Sequence, residues 1–400
     1  MKLLQLTGVV LSMSGFMFGA GSPSAQSLEL NFGPVTTLYK GGVFPYMFLA
    51  REGTTVVHGV KGWKKESVEG IPFTVRSTDD RQTWKVWNPS PDQLPGPTHE
   101  GSVVQLKDGS ILIFNWSLES VGSGRFRGKL WTSTNQWETL AGPQAIQLSI
   151  PRAAPPGFDD RGEPFSGVVF HRSVVELPGG DLLAGLYGRF EEDTTPTEYQ
   201  AKQHKYRSFL MRSSDRGKTW SYIATIAAGP VGQEGYCEPV LLRLSQGKHR
   251  GRLICLMRTG RENPIYQCES DDEGVTWNQP RSLRWMYSKY GRSREIAGTD
   301  PDLIEMSDGT LVLSFGHKPD YQDDGNFLAF SHDQGHSWTQ VSRLTSNRTC
   351  AYSTVREIRP GVLFVVYSLS ERNSQDARYE DDYRTVGQTI TVTRRPGGPK

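Results

Sequence analysis

Four cysteines in 400 residues, none in a C-x-x-C pair, leave this sequence without the ligand spacing of a structural zinc site. It also has no block of Lys or Arg. The 45 basic and 43 acidic residues nearly cancel to a formal charge of +2, so the electrostatic footprint of a nucleic-acid binder is missing. Beyond the first twenty residues no apolar run is long enough to span a bilayer, and no membrane span is expected in the mature chain. No long segment carries 3.6-residue periodicity, which disfavours an alternation of helices and strands. No metal and no cofactor is expected, and the oligomeric state is not legible.

What is plentiful suits turns and pleats. There are 43 Gly and 24 Pro residues, and aromatics make up 10%. Aromatic side chains favour strands and also offer flat faces to sugars. At the N-terminus Lys2 precedes an apolar stretch from Leu3 to Ala20, followed by small residues at Ser22-Pro23-Ser24-Ala25. This pattern reads as a signal peptide over 1–26, with a secreted or periplasmic domain over 27–400; the alternative is a membrane anchor.

One unit recurs: an alternating strand, a turn, a second strand, then a third strand running into a polar hairpin. Its first two strands are visible at 101–116, 173–188, 239–258, 301–316 and 353–368, with a shorter copy at 51–59. Six such units read as an all-β, six-bladed propeller. The third strands end in S-x-D-x-G-x-[ST]-W, at 213–220, 270–277 and 331–338. A copy at 77–84 has Arg81 in place of Gly, and a remnant lies at 133–140. Ser and Asp side chains can bond the turn backbone, and Gly accepts a positive φ. The last sheet has no such turn, and its outer strand is expected from the segment near 28–38.

In a propeller the starts of the inner strands converge on one face. Here they carry Phe44-Pro45, His99-Glu100, His171-Arg172, Cys237-Glu238, Thr299-Asp300 and Tyr352. The ends of the second strands add Trp116, Arg189, Arg258 and His317. So many polar and titratable groups at equivalent positions point to a site, with carbohydrate as the expected partner. The substrate-contacting set is His99, Glu100, His171, Arg172, Arg189, Arg258, Asp300 and His317.

The repeated S-x-D-x-G-x-[ST]-W turns resemble the Asp boxes of the sialidase superfamily, and the resemblance runs from about residue 28 to the end. It implies that Asp215, Asp272 and Asp333 are structural. It also implies that Tyr352 is a nucleophile, that Glu238 pairs with it, and that Arg258 belongs to a three-arginine clamp on the substrate carboxylate. A phenol with a pKa near 10 needs a neighbouring carboxylate to take its proton.

The sequence departs from that pattern in three places. Val43-Phe44-Pro45 stands where the family has Arg-Ile-Pro, and HKPDYQDDGN from His317 has no arginine for the third clamp position. The loop at 61–70, where the acid/base aspartate is expected, offers only Glu66 and Glu69. The expectation is therefore an exo-acting glycoside hydrolase whose sugar need not be sialic acid. A polysaccharide lyase using His99, His171, Tyr352 and Arg172, or a non-catalytic glycan binder, remain as alternatives. Cys255 and Cys268 should face each other across a hairpin, as a disulfide or as two buried thiols.

Overall fold

Alternating apolar residues on either side of short turns fold this chain into antiparallel hairpins, and the hairpins into sheets. The computed structural model describes residues 28–64, 69–87, 102–159, 162–287, 292–317, 325–346, 348–372, 377 and 382–394. The expected signal peptide, Glu66, His99 and Glu100 lie outside the described residues. Among the described residues there is no helix.

Four sheets have four strands each. The first runs Gly42–Leu49, Thr55–Lys64, Glu69–Ser77 and Lys85–Val86. A second runs Cys237–Arg243, Leu253–Arg258, Tyr266–Ser270 and Arg281–Ser282. The third runs Thr299–Glu305, Leu311–His317, Gly325–Ser331 and Gln340–Arg343. The fourth joins the two chain ends: Ser353–Arg359, Val362–Ser370 and Tyr383–Arg394 are completed by Leu28–Lys40. That last pairing extends from Leu28 opposite Arg394 to Lys40 opposite Arg384, so the N-terminal segment supplies the outer strand.

The remaining large sheet differs from the expected pair of separate units. Ser102–Gln105, Ile111–Phe114, Arg125–Ser133 and Ala141–Ser149 form one antiparallel run; Val168–Glu176, Leu182–Gly188, Arg207–Ser213 and Thr219–Ala227 form another. Gln147 to Ser149 pair in parallel with Thr219 to Ser221, and Ser173 pairs with Val103, which closes eight strands into a ring. Stitching the outer strands together removes two open edges.

Apolar faces of adjacent sheets meet in the core. Val312, Leu328 and Phe330 pack against Val355, Leu363, Val365 and Ile390 of the next sheet, all buried. Burying each such side chain contributes roughly 1.5–3 kcal/mol, and this pins every sheet against its neighbour.

The S-x-D-x-G-x-[ST]-W turns share their Ser and Asp bonds. In one, Ser213 Oγ donates to Asp215 at 2.8 Å, and the Thr219 N–H donates to the same carboxylate oxygen at 2.9 Å. The Trp220 indole N–H donates to the Gly217 carbonyl at 2.9 Å. Both irregular copies keep the turn. Ser77 Oγ donates to Asp79 at 2.8 Å, and Ser133 Oγ to Asn135 at 3.1 Å. Arg81 (φ 67°) and Trp137 (φ 65°) occupy the left-handed position that Gly holds elsewhere. A non-glycine residue there costs about 1–2 kcal/mol, so the turn's hydrogen bonds outweigh the missing Gly.

Cys255 lies directly opposite Cys268 on strands Leu253–Arg258 and Tyr266–Ser270, in the register the sequence suggests. Both are free thiols with no exposed surface. Burial pushes the Cys255 thiol well up and that of Cys268 to about 12. All four cysteines are buried and free. The native protein should therefore resist alkylation, and the unfolded, unreduced protein should take up four alkyl groups by intact mass. Uptake of only two would show a bridge.

Candidate active site

The inner strands share one backbone device. Register shifts interrupt the ladder at Val43/Tyr46, Phe170/Val174, Cys237/Val240 and Thr299/Asp302. At each shift a non-glycine residue takes a left-handed conformation: Phe44 (φ 52°), Arg172 (46°), Glu238 (43°) and Asp300 (52°). Ala351 (68°) does the same just before Tyr352. Pro45, Pro239 and Pro301 follow three of these residues, and a proline without an N–H fits a bulge where a ladder bond is absent. Each such residue costs of order 1–3 kcal/mol, and strain of this kind gathers at functional sites.

The bulges turn their side chains toward one another. Glu238 Oε1 accepts from the Tyr352 hydroxyl at 3.4 Å and from Arg258 Nη1 at 2.5 Å; Oε2 accepts from the Asp300 N–H at 2.9 Å. The Tyr–Glu distance is at the long end of the hydrogen-bond range, as is common before substrate binds. Tyr352 is half-buried, and the Phe44 ring packs edge-on against it with centroids 4.7 Å apart. Arg258 Nε lies 2.7 Å from Glu234 Oε1, so the guanidinium sits between two carboxylates. Burial works against the charge on Arg258, but Glu234 and Glu238 outweigh it and raise its pKa well above the ordinary value.

Below this pair lies a fully buried layer. Arg172 Nη2 bonds the Asp300 carboxylate, and Arg172 Nη1 donates to the Ser353 carbonyl at 3.2 Å. His171 Nδ1 is 3.1 Å from the Pro239 carbonyl, and Nε2 is 3.9 Å from Asp300. A circuit results: Tyr352 to Glu238, Glu238 to the Asp300 backbone, Asp300 to Arg172, and Arg172 to Ser353 beside Tyr352. His171, Arg172 and Asp300 each have 0% exposure, so they hold Glu238 and Tyr352 from behind.

The structure thus brings Tyr352, Glu238, Arg258, His171, Arg172 and Asp300 together. Arg189 instead donates to the Pro155 carbonyl at 3.1 Å and contacts His204 at 3.3 Å. His317 ends its strand, half-buried, with the Phe327 ring 6.0 Å away. Glu69 opens the strand Glu69–Ser77, paired with Lys64.

Four participants carry no sequence signal. Glu234 sits four residues before Glu238 in a loop, without periodicity. Asp302 accepts from Thr354 Oγ1 at 2.6 Å, the Val355 N–H at 2.9 Å and Arg356 Nη1 at 2.7 Å. Burial alone would raise the Asp302 pKa, but Arg356 and Arg172 win and lower it. Arg356 also donates to Tyr46 Oη at 3.2 Å. Asp302, Arg356 and Tyr46 are interior positions on strands, and only the assembled fold shows which of them face the site.

None of the curated protein sequences matches this chain. Among solved structures, a protein of unknown function from Dyadobacter fermentans DSM 18053 superposes with a TM-score of 0.65 at 17% identity, covering 91% of this chain and 99% of its own. A Hadza microbial sialidase gives a TM-score of 0.60 at 14% identity, covering 90% and 68%. The alpha-L-arabinanase of Penicillium chrysogenum, solved with arabinobiose, gives 0.57 at 13% identity, covering 91% and 98%. At such identities the likeness shows a shared sialidase- and arabinanase-type fold. The BNR repeat-like domain matches residues 132–365, more than half of the sequence, and the chain belongs to that family.

Proposed function

We propose that this protein is an exo-acting glycoside hydrolase that removes a neutral sugar from the end of a glycan. The four four-stranded sheets and the two halves of the eight-strand ring are read as six propeller blades around a central site. Tyr352 attacks the anomeric carbon and passes its proton to Glu238 Oε1. The leaving oxygen takes a proton from an acid at the 61–70 hairpin, Glu66 or Glu69, which then draws a proton from the water that releases the sugar, while Tyr352 regains its own proton from Glu238. Export to the periplasm or medium, on the strength of the N-terminal apolar stretch, belongs to the same reading.

One observation carries the neutral-sugar assignment: among the described residues, the clamp cation that the resemblance identifies, Arg258, is already paired. Val43 stands where the family's first arginine would, and the next residue, Phe44, sets its ring against Tyr352. Arg258 is held between Glu234 and Glu238. The lyase alternative would need His171 and Arg172 to meet the substrate, and neither has exposed surface.

The test is digestion of a panel holding arabinosides, galactosides, sialosides and uronate-containing glycans, with products read by mass spectrometry. A hydrated neutral monosaccharide is the expected product. Rapid release of sialic acid, or an unsaturated product absorbing in the ultraviolet, would overturn the proposal.

A further inference from the structure

Glu234 is held by a loop with little freedom. Its carbonyl accepts from the Tyr206 N–H at 2.8 Å, and its own N–H donates to the Thr259 carbonyl at 3.2 Å. The next residue, Gly235, has φ 78°, and a Cβ there would lie 2.3 Å from the Tyr206 carbonyl oxygen. The loop thus fixes the Glu234 carboxylate, itself 7% exposed, against Arg258.

Guanidinium binds a carboxylate two-pronged, through its side edge (Nε with Nη2) or its end (Nη1 with Nη2). Glu234 Oε1 sits as an ion-pair partner 2.7 Å from Nε of the first edge, and Glu238 accepts from Nη1 of the second. A substrate carboxylate can dock two-pronged on Arg258 only by displacing one of them. The Glu238 position is committed to Tyr352, so Glu234 is the one that decides.

We propose that Glu234 sets the substrate class of this site, excluding carboxylated sugars by occupying the side edge of Arg258 and adding a negative charge beside it. The inference rests on the hydrolase reading above. Two carboxylates around one guanidinium leave the trio with a net negative charge, which repels an incoming carboxylate at close range in a poorly solvated site. Without Glu234 the remaining Arg258–Glu238 pair is neutral, and the neighbour left at Arg258 is the uncharged Tyr199 hydroxyl. Glu234 is thus a specificity residue for the anomeric end of the sugar.

The experiment is calorimetric titration of the wild type, Glu234→Gln, Glu234→Ala and Glu234→Asp with methyl α-N-acetylneuraminide and with its carboxyl methyl ester. Each variant is checked for a cooperative thermal transition. The wild type should favour the uncharged ester. Glu234→Gln and Glu234→Ala should each shift the acid-to-ester affinity ratio toward the acid by at least tenfold, while Glu234→Asp keeps the wild-type preference. An unchanged ratio in both Gln and Ala variants, or no measurable binding of the acid by either, overturns the assignment. The two readings fail separately. Rapid sialic acid release by the wild type defeats the neutral-sugar reading. Neutral-only turnover with an unchanged ratio in the variants defeats the role of Glu234 alone.

Discussion

Tyr352→Phe and Glu238→Gln should each lower turnover by at least about a hundredfold while leaving the protein folded. Both substitutions nearly conserve shape. Phe keeps the edge-on contact with Phe44 and loses only the hydroxyl that attacks. Gln keeps one oxygen for Arg258 or for the Asp300 N–H, but it cannot receive the phenolic proton. Glu238 is the carboxylate that the hydroxyl of Tyr352 reaches, which places it to act as base. The measurement is steady-state turnover on the sugar the panel identifies, beside a thermal melt. Retention of more than about a tenth of the wild-type rate by either variant would remove that residue from the chemistry.

Arg172→Met should cost about 3–5 kcal/mol of stability in denaturant titration, the range for breaking a fully buried ion pair. Asp300 would be left charged at 0% exposure with its main partner gone. The same variant should lose activity, because Asp300 carries the N–H that holds Glu238 Oε2 and Arg172 holds the carbonyl beside Tyr352. Adding Asp300→Leu to Arg172→Met should recover part of the stability, since no unpaired charge then remains. A loss below about 1 kcal/mol for Arg172→Met would contradict the buried circuit.

Much of the fold is written locally. The hairpins follow from alternation around turns, and Cys255 opposite Cys268 follows from folding one of them about its centre. The turn signature is legible even where it is irregular, because Ser77 with Asp79, and Ser133 with Asn135, are enough to set the hydrogen bonds. What sequence does not show is contact between units. The eight-strand ring depends on Ala141–Ser149 reaching Thr219–Ala227, a pairing across about 70 residues that no local pattern encodes. The site is legible to the same depth. Tyr352, Glu238 and Arg258 stand out at strand starts and ends. Their controlling neighbours Glu234, Asp302 and Tyr46 do not, since each acts through a partner far away in the chain. A proline directly after a strand's first residues, as at Pro45, Pro239 and Pro301, is the one sequence mark of the bulges that aim these side chains.

The chemistry at Tyr352 can be read directly by trapping. A 2-deoxy-2-fluoro glycoside of the released sugar, with a good leaving group, should inactivate the enzyme and add one glycosyl mass. Proteolysis and fragmentation should place that mass on the oxygen of Tyr352, and Tyr352→Phe should take up none. A glycosyl adduct on any other residue, or turnover through the probe's leaving group with no adduct at all, would contradict a tyrosine nucleophile in this site.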